Sequence, residues 1–282
     1  MGVDLRTEEH WFQSIKREWK IITPLLILAA LTLFSYALAR GPSESLFLAQ
    51  FQATDLPGLW IEIGIAVMLL LPLYNKALQR LSLTHIFQAS FWITGISLAF
   101  LLYVPLPITQ QSIDLFGISI PVGRDAFIRI WCDLYIVILV ETFWSIVNLH
   151  FAKKTAAYIY GLLCAAGTLG SMLGNAIVYQ YSKSVGTESM IIMVIPVMLL
   201  MSLCAIPLQS TFKLNRQDHA QTKKQSITES SLWSSIQVVW NSRYLTWILG
   251  IVLLSQITVT LIDYQYKTVL KSLDLFKTKP SI

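Results

Sequence analysis

Seven long apolar segments follow one another along this chain, and short polar stretches separate them. The segments are approximately 21–38, 59–74, 86–104, 127–149, 156–179, 190–208 and 244–262. A helix needs about 20 apolar residues to cross the core of a lipid bilayer. The second segment is the shortest and contains Glu62. The pattern predicts an all-α, polytopic membrane protein with seven transmembrane helices.

Glycine and proline residues mark the predicted joints between the helices. Both residue types disfavour the interior of a helix, and proline also removes a backbone donor. We therefore expect helices to end near Gly41-Pro42, Pro57-Gly58, Pro105 with Pro107, Pro121 with Gly123, and Gly186.

The first apolar segment has a second interpretation, as a cleaved signal peptide. It ends in Ala37-Leu38-Ala39, which resembles a cleavage site of the A-x-A type. However, about twenty residues precede the segment, and they include four acidic residues: Asp4, Glu8, Glu9 and Glu18. Six more apolar segments follow it. We interpret it as the first membrane span.

The composition excludes several classes of protein. Apolar residues make up 55% of the chain and charged residues 13%, which is too few for the surface of a soluble domain of this length. The net charge of +5 does not indicate a nucleic-acid partner, because the basic residues lie between apolar segments and form no single patch. Cys132, Cys164 and Cys204 all lie in apolar segments without metal-binding spacing. We expect neither a metal site nor a cofactor.

Charge asymmetry between alternate loops predicts the orientation in the membrane. Three basic residues, Arg40, Arg124 and Lys183, lie in loops on one side, and Arg129 lies near an interface. The other side holds Arg6, Lys16, Arg17, Lys20, Lys76, Arg80, Lys153, Lys154, Lys213, Arg216, Lys223, Lys224 and Arg243. This side should be cytoplasmic together with the N-terminus, and we expect a bacterial inner membrane.

The positions of the spans predict four parts of the chain. They are a cytoplasmic segment (1–20), a six-span half (21–209), a polar cytoplasmic linker (210–243) and a seventh span with its tail (244–282). A polar linker after six spans is typical of transporters built from two six-helix halves. We therefore expect the second half to be incomplete here, and the same gene or a partner chain to supply the rest.

The fourth span carries a polar stripe at membrane depth, where each ionisable group costs a few kcal/mol. At about 100° per residue, Arg129, Asp133, Glu141 and Asn148 fall within an arc of roughly 120°. Arg129 and Asp133 have the i,i+4 spacing of an ion pair. Glu141 has no such local partner. It is either a structural group, protonated or paired with a residue such as Arg40, or a residue that binds substrate or carries a proton.

The seventh span has a narrower polar line. Gln256, Thr260, Asp263 and Lys267 lie within about 60° of one another on a helix. Asp263 and Lys267 are again spaced for an i,i+4 ion pair. The line either ends the helix at the membrane interface or faces an aqueous pathway between the two halves of a bundle.

Small residues recur on one face of the fifth span. They are Ala166, Gly167, Gly170, Ser171 and Gly174. Small side chains let two helix backbones approach closely in a membrane. We interpret this face as a helix-packing surface, which in a transporter could also allow two helices to slide.

Arg40 closes the first span beside Ser35 and Tyr36. The planar guanidinium of an arginine binds carboxylates and phosphates well, which makes Arg40 a candidate anion ligand. A long side chain at this position could equally extend to the lipid headgroups.

Several stretches resemble the ATP:ADP antiporters of plastids and obligate intracellular bacteria and their major-facilitator-like bacterial relatives. The first is Tyr36-Ala-Leu-Ala-Arg40 at the end of the first span. The second is Glu141-Thr-Phe-Trp-Ser-Ile-Val-Asn148, followed by the glycine-rich stretch 160–174. The third is Leu261-Ile-Asp-Tyr-Gln-Tyr-Lys267 in the seventh span.

The resemblance implies a twelve-span, major-facilitator-like fold that exchanges cytosolic and external nucleotides. Arg40, Glu141, Asp263 and Lys267 match the family positions that would bind phosphates or gate the pathway, and Asn148 lies on the same face as Glu141. One departure concerns the substrate. The family usually presents a lysine shortly after the first-span arginine, whereas residues 41–45 here contain no cation. Weaker phosphate binding is expected. Two explanations stay open: a substrate other than ATP and ADP, or a decayed paralogue.

Two further hypotheses compete with nucleotide exchange. A proton-coupled symporter of another small solute would use Glu141 as its proton carrier. A membrane scaffold would transport nothing and would form a stable complex. A membrane-embedded enzyme is the least favoured alternative, since no nucleophile–base pair or metal-ligand set can be assembled from the sequence.

Overall fold

The computed structural model describes residues 5–104, 111–115, 117–151, 153–214, 237 and 240–273. The α-helices of this part are α1 (Leu5–Gln50), α2 (Leu56–Arg80), α3 (Leu83–Tyr103), α4 (Arg124–His150), α5 (Lys153–Val185), α6 (Thr187–Ile192), α7 (Val194–Leu214) and α8 (Arg243–Ser272). A 3-10 helix, Ala53–Asp55, lies between α1 and α2, and two strands, β1 (Gln111–Leu115) and β2 (Ile118–Val122), lie between α3 and α4. Most of the predicted linker and the C-terminal tail lie outside the described residues.

Seven segments of the described chain are helical, long enough and apolar enough to cross a membrane. They are Ile21–Gln50, Ala53–Arg80, Leu83–Tyr103, Arg124–His150, Tyr158–Val185, Thr187–Ile206 and Arg243–Ser272. Each contains one of the seven apolar segments or most of it, and no pair of segments merges. The prediction of an all-α polytopic membrane protein is confirmed.

The first helix is longer than its sequence predicts. The expected end at Gly41-Pro42 is wrong, because α1 continues through Pro42 to Gln50. A proline in a membrane helix removes one backbone hydrogen bond, but its neighbours can compensate for the loss. Pro42 has no N–H for the carbonyl of Leu38, and one residue further on the hydroxyl of Ser43 donates to the carbonyl of Arg40 at 2.9 Å. Arg40 therefore lies inside a membrane helix and does not follow one.

The sixth span is divided into two helices. Gly186, with a φ of +92°, separates α5 from α6, which agrees with the predicted joint at this glycine. A second break follows at Met193, between α6 and α7. The pattern of apolar residues does not indicate this break, because Met193 lies within a continuous apolar segment.

The two strands were not predicted. They form an antiparallel hairpin in which Leu115 pairs with Ile118, and Gly117 adopts a φ of +80° in the turn. The sequence predicts only that helices end near Pro121 and Gly123. Pro121 lies within β2 and Gly123 directly precedes α4.

The helices pack around α1, which contacts α4, α5, α6 and α7. A second set of contacts joins α3 to α4 and α7. Apolar side chains from all these helices fill the core between them, including Leu25, Leu28, Phe87, Phe91, Ile128, Leu139, Leu163 and Met198. In contrast, nearly all side chains of residues 243–262, the first two thirds of α8, are exposed.

The small residues of α5 lie against α1. A β-carbon added at Gly170 would stand 2.0 Å from the carbonyl oxygen of Ala30, and one added at Gly174 would stand 2.7 Å from the β-carbon of Ala37. A β-carbon at Gly167 would reach a methyl group of Leu33 at 2.8 Å. These distances leave no room for larger side chains, so the glycines set the separation of the two helices.

Candidate functional site

Charged side chains from three helices meet in one half of the bundle. We call the side of the bundle that carries the β-hairpin the hairpin end. Helix α1 ends there, and α2 and α4 begin there. At about 1.5 Å per residue, Arg40, Asp133 and Asp263 each lie roughly 14–15 Å along their helices from that end. This is close to the middle of a 30 Å hydrocarbon core. We call the group the ion cluster; it comprises Arg40 and Glu44 of α1, Arg129 and Asp133 of α4, and Asp263 and Lys267 of α8.

The α4 side of the ion cluster is an ion pair that also binds α1. A guanidinium nitrogen of Arg129 lies 2.8 Å from a carboxylate oxygen of Asp133, and Arg129 is only 5% exposed. The other carboxylate oxygen of Asp133 accepts a hydrogen bond of 3.1 Å from the hydroxyl of Tyr36. A buried guanidinium is stable only with its counter-charge in place. This pair therefore fixes one turn of α4 against α1.

The α8 side of the ion cluster is centred on Lys267. Its ammonium group contacts the carboxylates of both Asp263, one turn earlier in α8, and Glu44 in α1. Lys267 is 4% exposed, whereas most of α8 is not covered by the described chain. The Glu44–Lys267 contact thus connects the seventh span directly to the first.

Arg40 differs from the other two cations of the cluster. Its side chain is exposed, it forms no ion pair among the described residues, and its guanidinium lies 5.5 Å from the ring centroid of Tyr36. It is close enough to Asp263 and Lys267 to interact with both electrostatically. The guanidinium of Arg40 lies near the Asp263–Lys267 pair, whose charges already neutralise each other. A guanidinium whose N–H groups form no ion pair can bind a carboxylate or phosphate group.

The ion cluster is balanced in formal charge. Three cations face three carboxylates, since Glu44, Asp133 and Asp263 match Arg40, Arg129 and Lys267 in number. The balance lowers the cost of holding six charged groups at membrane depth. It also means that an entering anion must compete with the carboxylates that already pair with Arg129 and Lys267.

Lys271, one turn beyond Lys267, binds the end of α1. Its ammonium group donates to the carbonyl of Leu48 and, at 3.1 Å, to the carbonyl of Phe51. The last carbonyl groups of a helix lack partners within the helix and carry partial negative charge. Together with the Glu44–Lys267 contact, this interaction docks the last turns of α8 on α1 at the hairpin end.

The polar stripe predicted on α4 is divided between two places. Glu141 is eight residues beyond Asp133, about 12 Å further along the helix and away from the hairpin end. It is exposed and forms no ion pair among the described residues, and the suggested partner Arg40 lies in the ion cluster. Asn148 accepts a hydrogen bond from the hydroxyl of Tyr160 in α5. These two residues therefore belong to a different region of α4.

Glu44 is the member of the ion cluster that the sequence did not single out. It is one turn beyond Arg40, so the two share a face of α1. The expected helix end at Gly41-Pro42 placed Glu44 in a loop and hid this relationship. An uninterrupted helix through Pro42 would have revealed it from spacing alone.

Glu62 of α2 is a half-buried carboxylate within another membrane span. One of its carboxylate oxygens is buried and has no hydrogen-bond partner among the described residues. It lies outside the ion cluster. Within the same described part of the chain, no group of three or more histidine, cysteine, aspartate or glutamate side chains could hold a metal ion.

Comparison of the chain with protein-family models, with curated proteins and with solved structures finds no match. The resemblance to nucleotide antiporters therefore stays a prediction that rests on the quoted sequence stretches.

Proposed function

We propose that this membrane protein is part of a solute transporter, and that the ion cluster is where its substrate binds or where its pathway is gated. The observation that carries the proposal is the contact of Lys267 in α8 with Glu44 in α1. Seven apolar helices alone are compatible with many membrane proteins. Six charged groups from three different helices at one depth require a specific reason, because each is costly there.

The ion cluster supports a transporter through the way its charges are held. Arg40 is available to an anionic group, while Lys267 is shared between two carboxylates. An anion that binds Arg40 would also attract Lys267 and weaken its contact with Glu44. Binding would thus favour separation of α8 from α1 at the hairpin end. Alternating access needs such a difference in affinity between two conformations.

The finer form of the proposal is exchange of nucleotides, as the resemblance implies. The chain then carries Glu44 in the stretch where the family usually presents a cation. A carboxylate beside Arg40 and Lys267 opposes a polyphosphate. We therefore propose a preference for solutes with one anionic group, such as a monophosphate, over a triphosphate.

We also propose that further helices, from the same gene or a partner chain, complete the transporter. The first two thirds of α8 expose Gln256 as well as apolar side chains. A side-chain amide facing lipid has no hydrogen-bond partner, whereas one facing a second bundle or an aqueous pathway has one.

Proton-coupled symport is the second candidate function. Glu141 favours it, because this carboxyl group lies within a membrane span, is exposed and has no ion-pair partner in the described part of the chain. A carboxyl group without a counter-charge at this depth can take up a proton as part of a transport cycle.

The test is uptake by proteoliposomes that contain the full chain, with and without internal nucleotide. Labelled AMP, ADP and ATP are offered in turn outside, and the orientation of the chain is measured by protease accessibility. Nucleotide exchange predicts uptake that depends on internal nucleotide, and our charge argument predicts AMP uptake above that of ATP. Absence of any internal-substrate effect would argue against exchange.

The same preparation separates the second candidate. Proton coupling predicts uptake that increases with an imposed proton gradient and is lost in Glu141→Gln. Uptake that ignores the gradient in both proteins argues against it. Lys183→Gln, at an exposed cation in the last turn of α5 and outside the ion cluster, is the control for general effects of charge removal.

A further inference from the structure

The hairpin has two chemically different faces. In paired strands, alternate residues lie on one face, and directly opposed residues share it. The register pairs Ile113 with Ile120 and Leu115 with Ile118. One face therefore carries Gln111, Ile113, Leu115, Ile118, Ile120 and Val122, and the other carries Ser112, Asp114, Ser119 and Pro121.

The β2 part of the polar face lies against the protein, whereas Ser112 and Asp114 of β1 are exposed. The hydroxyl of Ser119 donates to a carboxylate oxygen of Asp55 at 2.5 Å, and Pro121 is buried. A β-carbon added at Gly58, in the first turn of α2, would stand 1.9 Å from the carbonyl oxygen of Ser119. Strand β2 thus sits directly on the start of α2, and this close approach requires a glycine.

The apolar face is left outside. Ile113, Leu115 and Ile118 are 46%, 51% and 40% exposed, and Ile120 and Val122 are partly exposed. No charged residue lies on this face, since the one acidic residue of the strands, Asp114, belongs to the other. This arrangement differs from a hairpin on a water-soluble protein, where the apolar face is covered.

The position of the hairpin indicates what covers its apolar face. Val122 is separated by a single glycine from Arg124, the first residue of the span α4, and β2 contacts the first turn of the span α2. The hairpin is therefore level with the ends of two membrane helices. The lipid headgroups and the first acyl carbons lie at this level.

We propose that the apolar face of the hairpin binds the lipid leaflet at the hairpin end, with Ile113, Leu115 and Ile118 in the boundary between headgroups and acyl chains. Short apolar surfaces bind there because they leave water while polar groups beside them stay hydrated. The occupant is the same bilayer that surrounds the spans, so the interface continues the lipid-facing surface of the helices. Through Asp55 and Gly58, the hairpin then holds the start of α2 at the membrane surface.

The test places a nitroxide spin label on each face in turn. Ile113→Cys and Leu115→Cys report on the apolar face, and Asp114→Cys on the same strand is the matched control. The background is the full chain with Cys164→Ala and Cys204→Ala, since Cys132 is fully buried and will not react. The labelled protein is reconstituted in phosphatidylcholine–phosphatidylglycerol vesicles, and accessibility to oxygen is compared with accessibility to a water-soluble nickel chelate.

The proposal expects the labels at Ile113 and Leu115 to be more accessible to oxygen than to the chelate, and the label at Asp114 to show the opposite order. Two results would overturn it. Equal, high chelate accessibility at all three sites would mean that the face lies in water. Immobile labels at Ile113 and Leu115 that neither reagent reaches would mean that another protein surface covers it.

Discussion

Lys267 of α8 contacts Glu44 of α1, and this is the one ion pair of the described chain that joins α8 to another helix. It links the seventh span to the first at about the same depth as the Arg129–Asp133 pair. The structure predicts the effects of substitutions at four positions.

Replacement of Lys267 by methionine should loosen α8. Glu44 and Asp263 would lose their shared cation at membrane depth, and removal of one partner from a buried ion pair costs about 3–5 kcal/mol. We expect lower thermal stability in detergent and faster proteolysis of the segment that precedes α8. Lys183→Met, at an exposed position, should change neither quantity. Equal behaviour of the two variants would contradict the role assigned to the Glu44–Lys267 contact.

The single variant Asp133→Asn should be less stable than the double variant that carries both Asp133→Asn and Arg129→Met. The single change leaves the buried guanidinium of Arg129 without a counter-charge, which costs about 3–5 kcal/mol, whereas removal of both charges avoids that cost. Unfolding midpoints measured in sodium dodecyl sulfate titrations should therefore rise from single to double variant. Asp114→Asn, in the exposed strand β1, is the control. A double variant less stable than Asp133→Asn would show that Arg129 and Asp133 do not simply neutralise each other.

Gly170→Ala should separate α5 from α1. The added methyl group would meet the carbonyl oxygen of Ala30 at 2.0 Å, and forced overpacking typically costs about 1–3 kcal/mol. Gly161→Ala is the matched control on the same helix, because its β-carbon would meet nothing within 4 Å. Alanine favours a helix over glycine by up to about 1 kcal/mol, so the control should be neutral or stabilising. The difference in thermal midpoint between the two variants measures the packing effect alone.

Arg40→Gln should impair uptake and should destabilise the protein less than Lys267→Met does. The side chain is exposed and forms no ion pair in the described structure, so its loss breaks no buried pair. A charged hydrogen bond to an anion contributes about 1.5–3 kcal/mol, which corresponds to about a tenfold or greater rise in the KM for an anionic solute. Unaltered uptake kinetics, with the Lys183→Gln control also unaltered, would remove Arg40 from the site.

The ion cluster shows which contacts can be predicted from the spacing of residues along the chain. The i,i+4 spacing of Arg129 with Asp133 and of Asp263 with Lys267 depends only on the geometry of a single helix, so both pairs can be read from sequence. The Glu44–Lys267 contact joins two helices that are far apart in the chain. No periodicity encodes such a contact, because it depends on how α8 packs.

The division of the α4 stripe has a similar cause. Helical periodicity places Arg129 and Glu141 within one arc of roughly 120° on α4. It does not show which neighbouring helix contacts each turn. In the folded chain, Tyr36 of α1 binds Asp133, and Tyr160 of α5 reaches Asn148. One stripe therefore contributes to two environments.

The sequence alone predicts the seven helices of the described chain that are long and apolar enough to cross a membrane, since lipid requires long apolar segments. It also predicts the two local ion pairs and the glycine-rich face of α5. Packing between helices is needed to show that α1 continues through Pro42, that Glu44 binds Lys267, and that the connection after α3 contains a hairpin with its apolar face outward. These features depend on contacts between distant segments, which supply the hydrogen bonds, charges and close approaches that no single segment contains.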